Sequence, residues 1–179
     1  MTDYRAVLRA IAPGGKPDII NGFADALPQV IAYAALTTRQ RLADFLGQCA
    51  EESANFTTTT EFASGAAYNG RRDLGNVHPG DGVRFKGRGL IQLTGRTNYR
   101  EAGQALGHDY ENHPEWVATF PHAALVSAWF WKRHDINVAA DRGNLAQVTR
   151  AVNGGENGFS TRVALTHRAL NALVSRAIG

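Results

Sequence analysis

The stretch Thr38-Arg-Gln-Arg-Leu-Ala-Asp-Phe-Leu-Gly-Gln-Cys-Ala-Glu-Glu-Ser-Ala-Asn-Phe56 decides the fold. Leu42, Phe45, Leu46, Cys49 and Ala50 recur at i, i+3, i+4, i+7 and i+8, which is one face of a helix. Thr38 stands where an N-cap belongs, so a helix is expected from Arg39 to about Ala54. On a wheel at about 100° per residue, Glu51 falls roughly 180° from Leu42, on the solvent side; Glu52 falls about 80° from it, at the flank of the buried face. The two adjacent glutamates are thus expected in unlike surroundings, Glu51 solvated and Glu52 partly desolvated. A desolvated carboxyl holds its proton more readily, as a general acid must.

Outward from this helix the same period returns. A short helix is expected over residues 3–12, stopped by Pro13-Gly-Gly15, and a second over 22–35. Further helices are expected over Thr97–Leu106, Phe120–Arg133, Leu145–Val152 and Ser160–Ile178. Asn153-Gly154-Gly155 reads as a C-terminal stop, and Val163, Leu170, Val174 and Ile178 share one face of the last helix. Between Asn55 and Arg88 the period breaks into β-branched, polar and Gly-rich sequence, a long irregular segment or short hairpin. A loop of that length inside a compact domain is usually functional, and Tyr68, Leu74, Val77 and Phe85 argue that it is ordered. The reading is a mainly α single domain spanning residues 1–179, with one Gly-rich insertion that crosses the middle and a possible small lobe at about 55–90.

Composition bounds the rest. Of 179 residues 44% are hydrophobic and 20% charged, enough to bury a core and too apolar for a disordered chain. One cysteine, Cys49, excludes an internal disulfide. No run approaches the roughly 20 apolar residues of a membrane span, so no stable membrane insertion is expected. The start, Met1-Thr-Asp-Tyr-Arg, lacks a signal-peptide pattern, and a cytoplasmic location until release is expected. The net charge of +3 draws the chain weakly toward anionic polymers, with basic residues gathered at Arg71-Arg72 and Arg84–Arg88.

Glu61 follows nine residues after Glu52, beyond the expected helix end, in the polar Thr-rich stretch. Two carboxyl groups in unlike environments suit glycoside hydrolysis, one protonating the leaving oxygen and one activating water. Pattern alone leaves the alternative of surface glutamates open. The neighbouring motifs narrow it. Phe45-Leu-Gly-Gln-Cys-Ala-Glu-Glu-Ser-Ala-Asn-Phe56 resembles the catalytic helix of family 19 glycoside hydrolases, the lysozyme-like chitinases and phage endolysins. Phe85-Lys-Gly-Arg-Gly-Leu-Ile-Gln-Leu-Thr-Gly-Arg-Thr-Asn-Tyr99 resembles the second signature of that family, and Val152-Asn-Gly-Gly155 its later Asn-Gly-Gly motif. Glu61-Phe-Ala-Ser-Gly-Ala-Ala-Tyr68, Asp73-Leu-Gly-Asn76 and Pro79-Gly-Asp-Gly82 look like the phage endolysin branch.

The resemblance implies a mainly α, lysozyme-like fold of two lobes with a catalytic cleft between them, and it implies roles. Glu52 matches the general acid and Glu61 the second carboxylate, the base of an inverting reaction. Thr94 stands where many relatives have Ser, with a hydroxyl to help hold the water. Gln92, Asn98, Asn153, Arg162 and Tyr68 match substrate-binding positions. Two departures stand out: Glu51 replaces the usual His, and Asn69 stands where endolysin relatives often have Glu.

Other constellations carry less. The glycines of Gly80–Gly89 lack the Gly-Lys-Ser/Thr ending of a phosphate loop. The histidines His78, His108, His113, His122, His134 and His167 form no His-Glu-x-x-His, so no metal and no cofactor are expected. Cys49 sits mid-stripe on the apolar face, as a buried thiol rather than a nucleophile. Trp129, Phe130 and Trp131 are consecutive on a helix, so at least one belongs to the core; Trp116 and Tyr99 are left between core and sugar stacking. The sequence therefore reads as a monomeric endolysin hydrolysing β-1,4 bonds of peptidoglycan glycan strands, with no nucleic-acid partner. Chitin is the alternative substrate; a non-catalytic wall-binding module or a zinc amidase is the alternative class.

Overall fold

The structure is a computed structural model that describes residues 2–174. Nine helices run in the order α1 Tyr4–Ile11, α2 Pro17–Ala34, α3 Arg39–Glu52, α4 Asp81–Arg84, α5 Arg96–Leu106, α6 His122–Arg133, α7 Asn137–Asp141, α8 Leu145–Asn153 and α9 Phe159–Val174 among the described residues. The expected mainly α architecture is observed. Ile178 and the expected end of the last helix lie outside the described residues.

Capping chemistry sets several boundaries. Thr38 Oγ1 accepts the Arg41 N–H at 3.1 Å and opens α3, as its sequence predicts. Asp3 caps α1 through the Ala6 N–H, and Asn144 caps α8 through the Gln147 N–H. Gly154, at φ 72°, closes α8 in the left-handed conformation that glycine adopts without strain. Helix α2 begins five residues earlier than the periodicity indicates. Pro17 occupies its first turn, where a missing N–H costs nothing, and the buried Ile19 and Ile20 extend its apolar face.

Helix α3 differs most from its sequence reading. All nine residues from Leu42 to Ala50 are buried, polar Asp44 and Gln48 included, so the helix is covered on every side rather than along one stripe. Phe45 meets Trp131 edge-on at 5.3 Å on the apolar side. The opposite side is covered by α9, and Gly47 is the point of closest approach: a Cβ there would overlap Thr166 Oγ1 and lie 3.0 Å from the Thr166 amide nitrogen. Gly47→Ala is therefore expected to lower stability by about 1–3 kcal/mol through overpacking, outweighing its gain in helix propensity. A urea unfolding midpoint equal to that of the wild type would show that α9 does not bear on α3 there.

A second, smaller core carries the irregular segment. Phe85, Leu93, Tyr99, Tyr110, Val117, Val126 and Trp129 pack together, with Phe85 edge-on to Tyr99 at 5.4 Å. Of the four residues expected to order this segment, Phe85 is buried, Tyr68 and Leu74 are half-buried, and Val77 is exposed. Polar groups supply the remaining order. Buried Asn76 donates to the Tyr68 carbonyl and accepts the Arg96 N–H. Buried Asp81 is gripped by the Arg96 guanidinium at 2.6 and 3.0 Å, which holds its carboxyl below the usual range. No hairpin forms among the described residues: Thr60 bridges Arg88, and Arg88 bridges Leu93, as isolated pairs. Trp131 and Trp129 are core, Phe130 is half-buried, and Tyr99 is fully buried with its hydroxyl on the Lys86 carbonyl at 2.6 Å.

Candidate active site

Glu52 ends α3 and is held from α9. Its Oε1 accepts from Arg162 Nη2 at 2.5 Å, with the two side chains 18% and 4% exposed respectively. The remaining Arg162 donors are also engaged inside the protein, Nη1 on Gln48 Oε1 at 2.5 Å and Nε on the Asn157 carbonyl at 3.1 Å. Gln48 in turn donates to Thr149 of α8 at 3.2 Å. The flank on which the wheel places Glu52 is thus lined by a cation within a buried polar network, not by apolar surface. Arg162 directs its guanidinium at the carboxyl rather than outward. Glu51, expected to be solvated, is half-buried beneath the 158 turn, where a Cβ on Gly158 would overlap Glu51 Oε1.

The chain leaves Glu52 through an unusual turn. Ala54, Asn55 and Phe56 are all left-handed, with φ of 51°, 61° and 58°. Each such residue costs roughly 1–2 kcal/mol, so neighbours must hold the turn. Ser53, fully buried, is one of them: its Oγ donates to the Cys49 carbonyl at 2.6 Å and accepts the Phe56 N–H at 3.1 Å. Phe56 is buried edge-on to Phe23 at 5.7 Å and anchors the far end. The turn reverses the chain and delivers it to the Thr59–Glu61 segment, which pairs with Gly87–Gly89 through Glu61 N–H to the Gly87 carbonyl and Gly89 N–H to the Thr59 carbonyl, at 3.0 and 2.9 Å.

That pairing fixes Glu61. Its Oε1 accepts the Gly87 N–H at 3.1 Å and its Oε2 accepts the Tyr68 hydroxyl at 3.0 Å. Burial, followed by the bond to Glu61, raises the Tyr68 phenol above its ordinary value, so it stays protonated and donating at neutral pH. A Cβ at Gly87 would lie 2.9 Å from Gln92 Oε1 and 3.4 Å from the Glu61 carboxyl carbon, so a side chain there would displace the end of Gln92. Gln92 therefore lies beside Glu61 across Gly87. Its own backbone is left-handed, at φ 58°, and its Nε2 donates to the Gly89 carbonyl at 3.1 Å. Thr94 Oγ1 donates to the Gln92 carbonyl at 2.9 Å, and Asn98 Nδ2 to the Thr94 carbonyl at 2.8 Å. Asn153 is the last residue of α8. Two buried polar atoms in these residues have no protein partner: Gln92 Oε1, an acceptor, and Asn153 Nδ2, a donor.

The structure thus places Glu52 and Arg162 in one hydrogen-bonded set, and Glu61, Tyr68 and Gln92 around Gly87 in another. Thr94 and Asn98 follow Gln92 in a chain of carbonyl bonds. Sequence reasoning missed Gln48, Ser53 and Gly87. The signal for Gln48 was present as Gln40, Asp44, Gln48 and Glu52 at four-residue spacing, a polar stripe that runs from opposite the apolar face round to its flank. Cys49 is fully buried, and burial together with the nearby Glu52 charge pushes its thiol well above its ordinary value, which suits packing and not nucleophilic attack. Among the described residues no group of three or more His, Cys, Asp and Glu side chains gathers to hold a metal.

The family model described as chitinase class I, for glycoside hydrolase family 19, matches residues 19–142. A glycosyl hydrolase family 19 domain-containing protein of Haemophilus influenzae is 30% identical over 186 residues, covering 86% of this chain and 90% of that protein. Acidic endochitinase Q of Nicotiana tabacum is 31% identical over 73% of this chain, which spans only 57% of the tobacco protein. The crystal structure of chitinase C from Streptomyces griseus shares the fold, with a TM-score of 0.74 at 21% identity over 94% of this chain and 91% of that one. The chain belongs to glycoside hydrolase family 19.

Proposed function

We propose that the chain hydrolyses β-1,4 bonds between N-acetylated aminosugars with inversion, Glu52 acting as general acid and Glu61 as general base. The observation that carries this reading is the contrast between the carboxyl groups. Glu61 accepts one bond at each oxygen from neutral donors, the Gly87 N–H and the Tyr68 hydroxyl, which fixes its carboxyl group in place. Glu52 is held at Oε1 by Arg162, while its Oε2 has no hydrogen-bond partner among the described residues and is the oxygen left to carry the proton to substrate; Arg162 Nη1 and Nε have acceptors of their own. In the reaction Glu52 gives its proton to the glycosidic oxygen as the bond to the anomeric carbon breaks. Water attacks that carbon from the opposite face and gives its proton to Glu61. Gln92 and Asn153, each with one polar atom that lacks a protein partner, are assigned to hydrogen-bonding the substrate's polar groups. Thr94, with a hydroxyl oxygen left to accept, and Asn98 complete the polar lining.

Peptidoglycan is the favoured substrate, and charge supports it over chitin. Residues 61–100 hold seven of the 19 Lys and Arg and three of the 16 Asp and Glu, a net of +4, whereas the remainder of the chain is net −1. Arg84, Lys86 and Arg88 bond to carbonyl or hydroxyl oxygens rather than to carboxylates. A basic lobe beside the site attracts the carboxylates of wall peptides; chitin has none. This fits an endolysin that acts as a monomer on the wall after release from the cytoplasm. The test is digestion of purified peptidoglycan and of chitin, with mass spectrometry of the products and early NMR of the new anomeric proton. New reducing sugars from peptidoglycan, released as the inverted anomer and lost in Glu61→Gln, are expected. Peptide products, or the retained anomer, would overturn the mechanism; faster release from chitin would overturn the substrate.

A further inference from the structure

Phe62 is 86% exposed, more than any other large hydrophobic residue described; Val77 follows at 59%. Isolated exposed apolar side chains are ordinary on protein surfaces. Two observations set this one apart. It is the chain neighbour of Glu61, whose carboxylate is fixed at both oxygens. The backbone on either side of it is also clamped, because Lys86 Nζ donates to the Glu61 carbonyl at 3.2 Å and to the Ala63 carbonyl at 3.1 Å. The clamp extends to Gly65, left-handed at φ 83°, which approaches the 82–86 segment so closely that a Cβ would lie 2.5 Å from the Gly82 carbonyl oxygen and 2.7 Å from Lys86 Cβ. An aromatic ring is thus presented to solvent by a pinned turn, one residue from the candidate base.

We propose that Phe62 is a stacking platform for a sugar ring of the glycan strand, beside the ring that is cleaved. A pyranose has an apolar C–H face, and its hydroxyl and acetamido groups project around the rim. The C–H bonds meet the electron-rich face of the phenyl ring, while the rim stays free for polar partners. Pinning the turn in advance spares the entropy of ordering it when substrate binds. Phe62 thereby fixes the register of the strand against Glu61 and sets a preference for substrates long enough to reach it.

This inference rests on the placement of the site at Glu61, and the test separates the two. KM and kcat are measured for wild type, Phe62→Ala, Phe62→Trp and Glu61→Gln, on long and short glycan fragments from peptidoglycan and on chitin oligosaccharides. Phe62→Ala is expected to raise KM about tenfold on long fragments, with kcat within about twofold. Phe62→Trp is expected to restore the wild-type KM, and the shortest cleaved fragments to show little change. The melting temperature of Phe62→Ala should match the wild type, since the ring is largely exposed. An unchanged KM for Phe62→Ala on long fragments, or a loss confined to kcat, overturns the platform even where Glu61→Gln abolishes turnover. Full activity in Glu61→Gln overturns the site itself.

Discussion

Glu52→Gln is expected to lower kcat roughly a hundred- to ten-thousand-fold while leaving KM close to the wild-type value. The amide is nearly isosteric with the carboxyl. Its oxygen can still accept from Arg162 Nη2, so the end of α3 and the guanidinium keep their positions. What it lacks is the acidic proton, and the leaving oxygen must depart unassisted. Arg162→Ala makes the contrasting variant. It removes a side chain only 4% exposed and leaves Gln48 Oε1, the Asn157 carbonyl and Glu52 without their shared donor. Leaving three acceptors that are wholly or partly buried without their donor costs about 1–3 kcal/mol for each that stays unpaired, so this variant should lose stability as well as activity. The pair of variants separates chemistry from scaffolding, read as steady-state kinetics beside thermal melts. More than a tenth of wild-type kcat in Glu52→Gln would remove Glu52 from the acid role.

Much of the fold is legible in the sequence; the surroundings of the candidate site are not, for specific reasons. Thr38, Pro13-Gly-Gly15 and Asn153-Gly154 mark helix ends because their chemistry acts within a few residues. The apolar repeat of α3 identifies one buried face. It says nothing of what covers the polar face, because Arg162 and Thr166 come from more than a hundred residues downstream. The burial of Asp44 and Gln48 was therefore invisible locally, and so was the cation beside Glu52. The left-handed turn at Ala54–Phe56 contains no glycine to announce it; Asn55 alone is a hint, and tertiary anchors at Ser53 and Phe56 impose the rest. Glu61 could be picked out as a polar residue past a helix end, but its two bonds depend on Gly87 and Tyr68 folding back upon it. Residues that act through the chain's own neighbourhood are readable in sequence; those that act by meeting a distant element require the fold.

Asp44→Asn is expected to stabilise the protein above neutral pH and to change little in mild acid. Asp44 is fully buried in α3; Gln40 Nε2 donates to its Oδ1 at 2.8 Å, and its Oδ2 has no partner. Burial raises its carboxyl to about 7, with the Gln40 bond opposing only in part. In the unfolded chain the group titrates near its ordinary value of 3.8. Between these values the native state binds the proton that the unfolded state has lost, so stability falls as pH rises from about 4 to about 7 and is flat beyond. The native carboxyl is thus favoured while protonated, and ionisation at higher pH forces a charge into a site with one donor. A shift of this size corresponds to at most about 4 kcal/mol. An asparagine keeps the acceptor facing Gln40 and cannot ionise, so the stability gap between the variant and the wild type should widen from near zero at pH 4 to about 2–4 kcal/mol at pH 8. Other groups titrate over the same range in both proteins and cancel in the difference. Urea unfolding at the two pH values measures it, and a gap independent of pH would mean that Asp44 keeps one protonation state throughout. The position bears on catalysis because Gln48, one turn along α3, holds the Arg162 guanidinium that holds Glu52. A carboxyl that gains charge inside this seam weakens the packing of α3 against α9 on which the acid depends, and relieving it should leave the Glu52 pair intact while extending the pH range over which the enzyme stays folded.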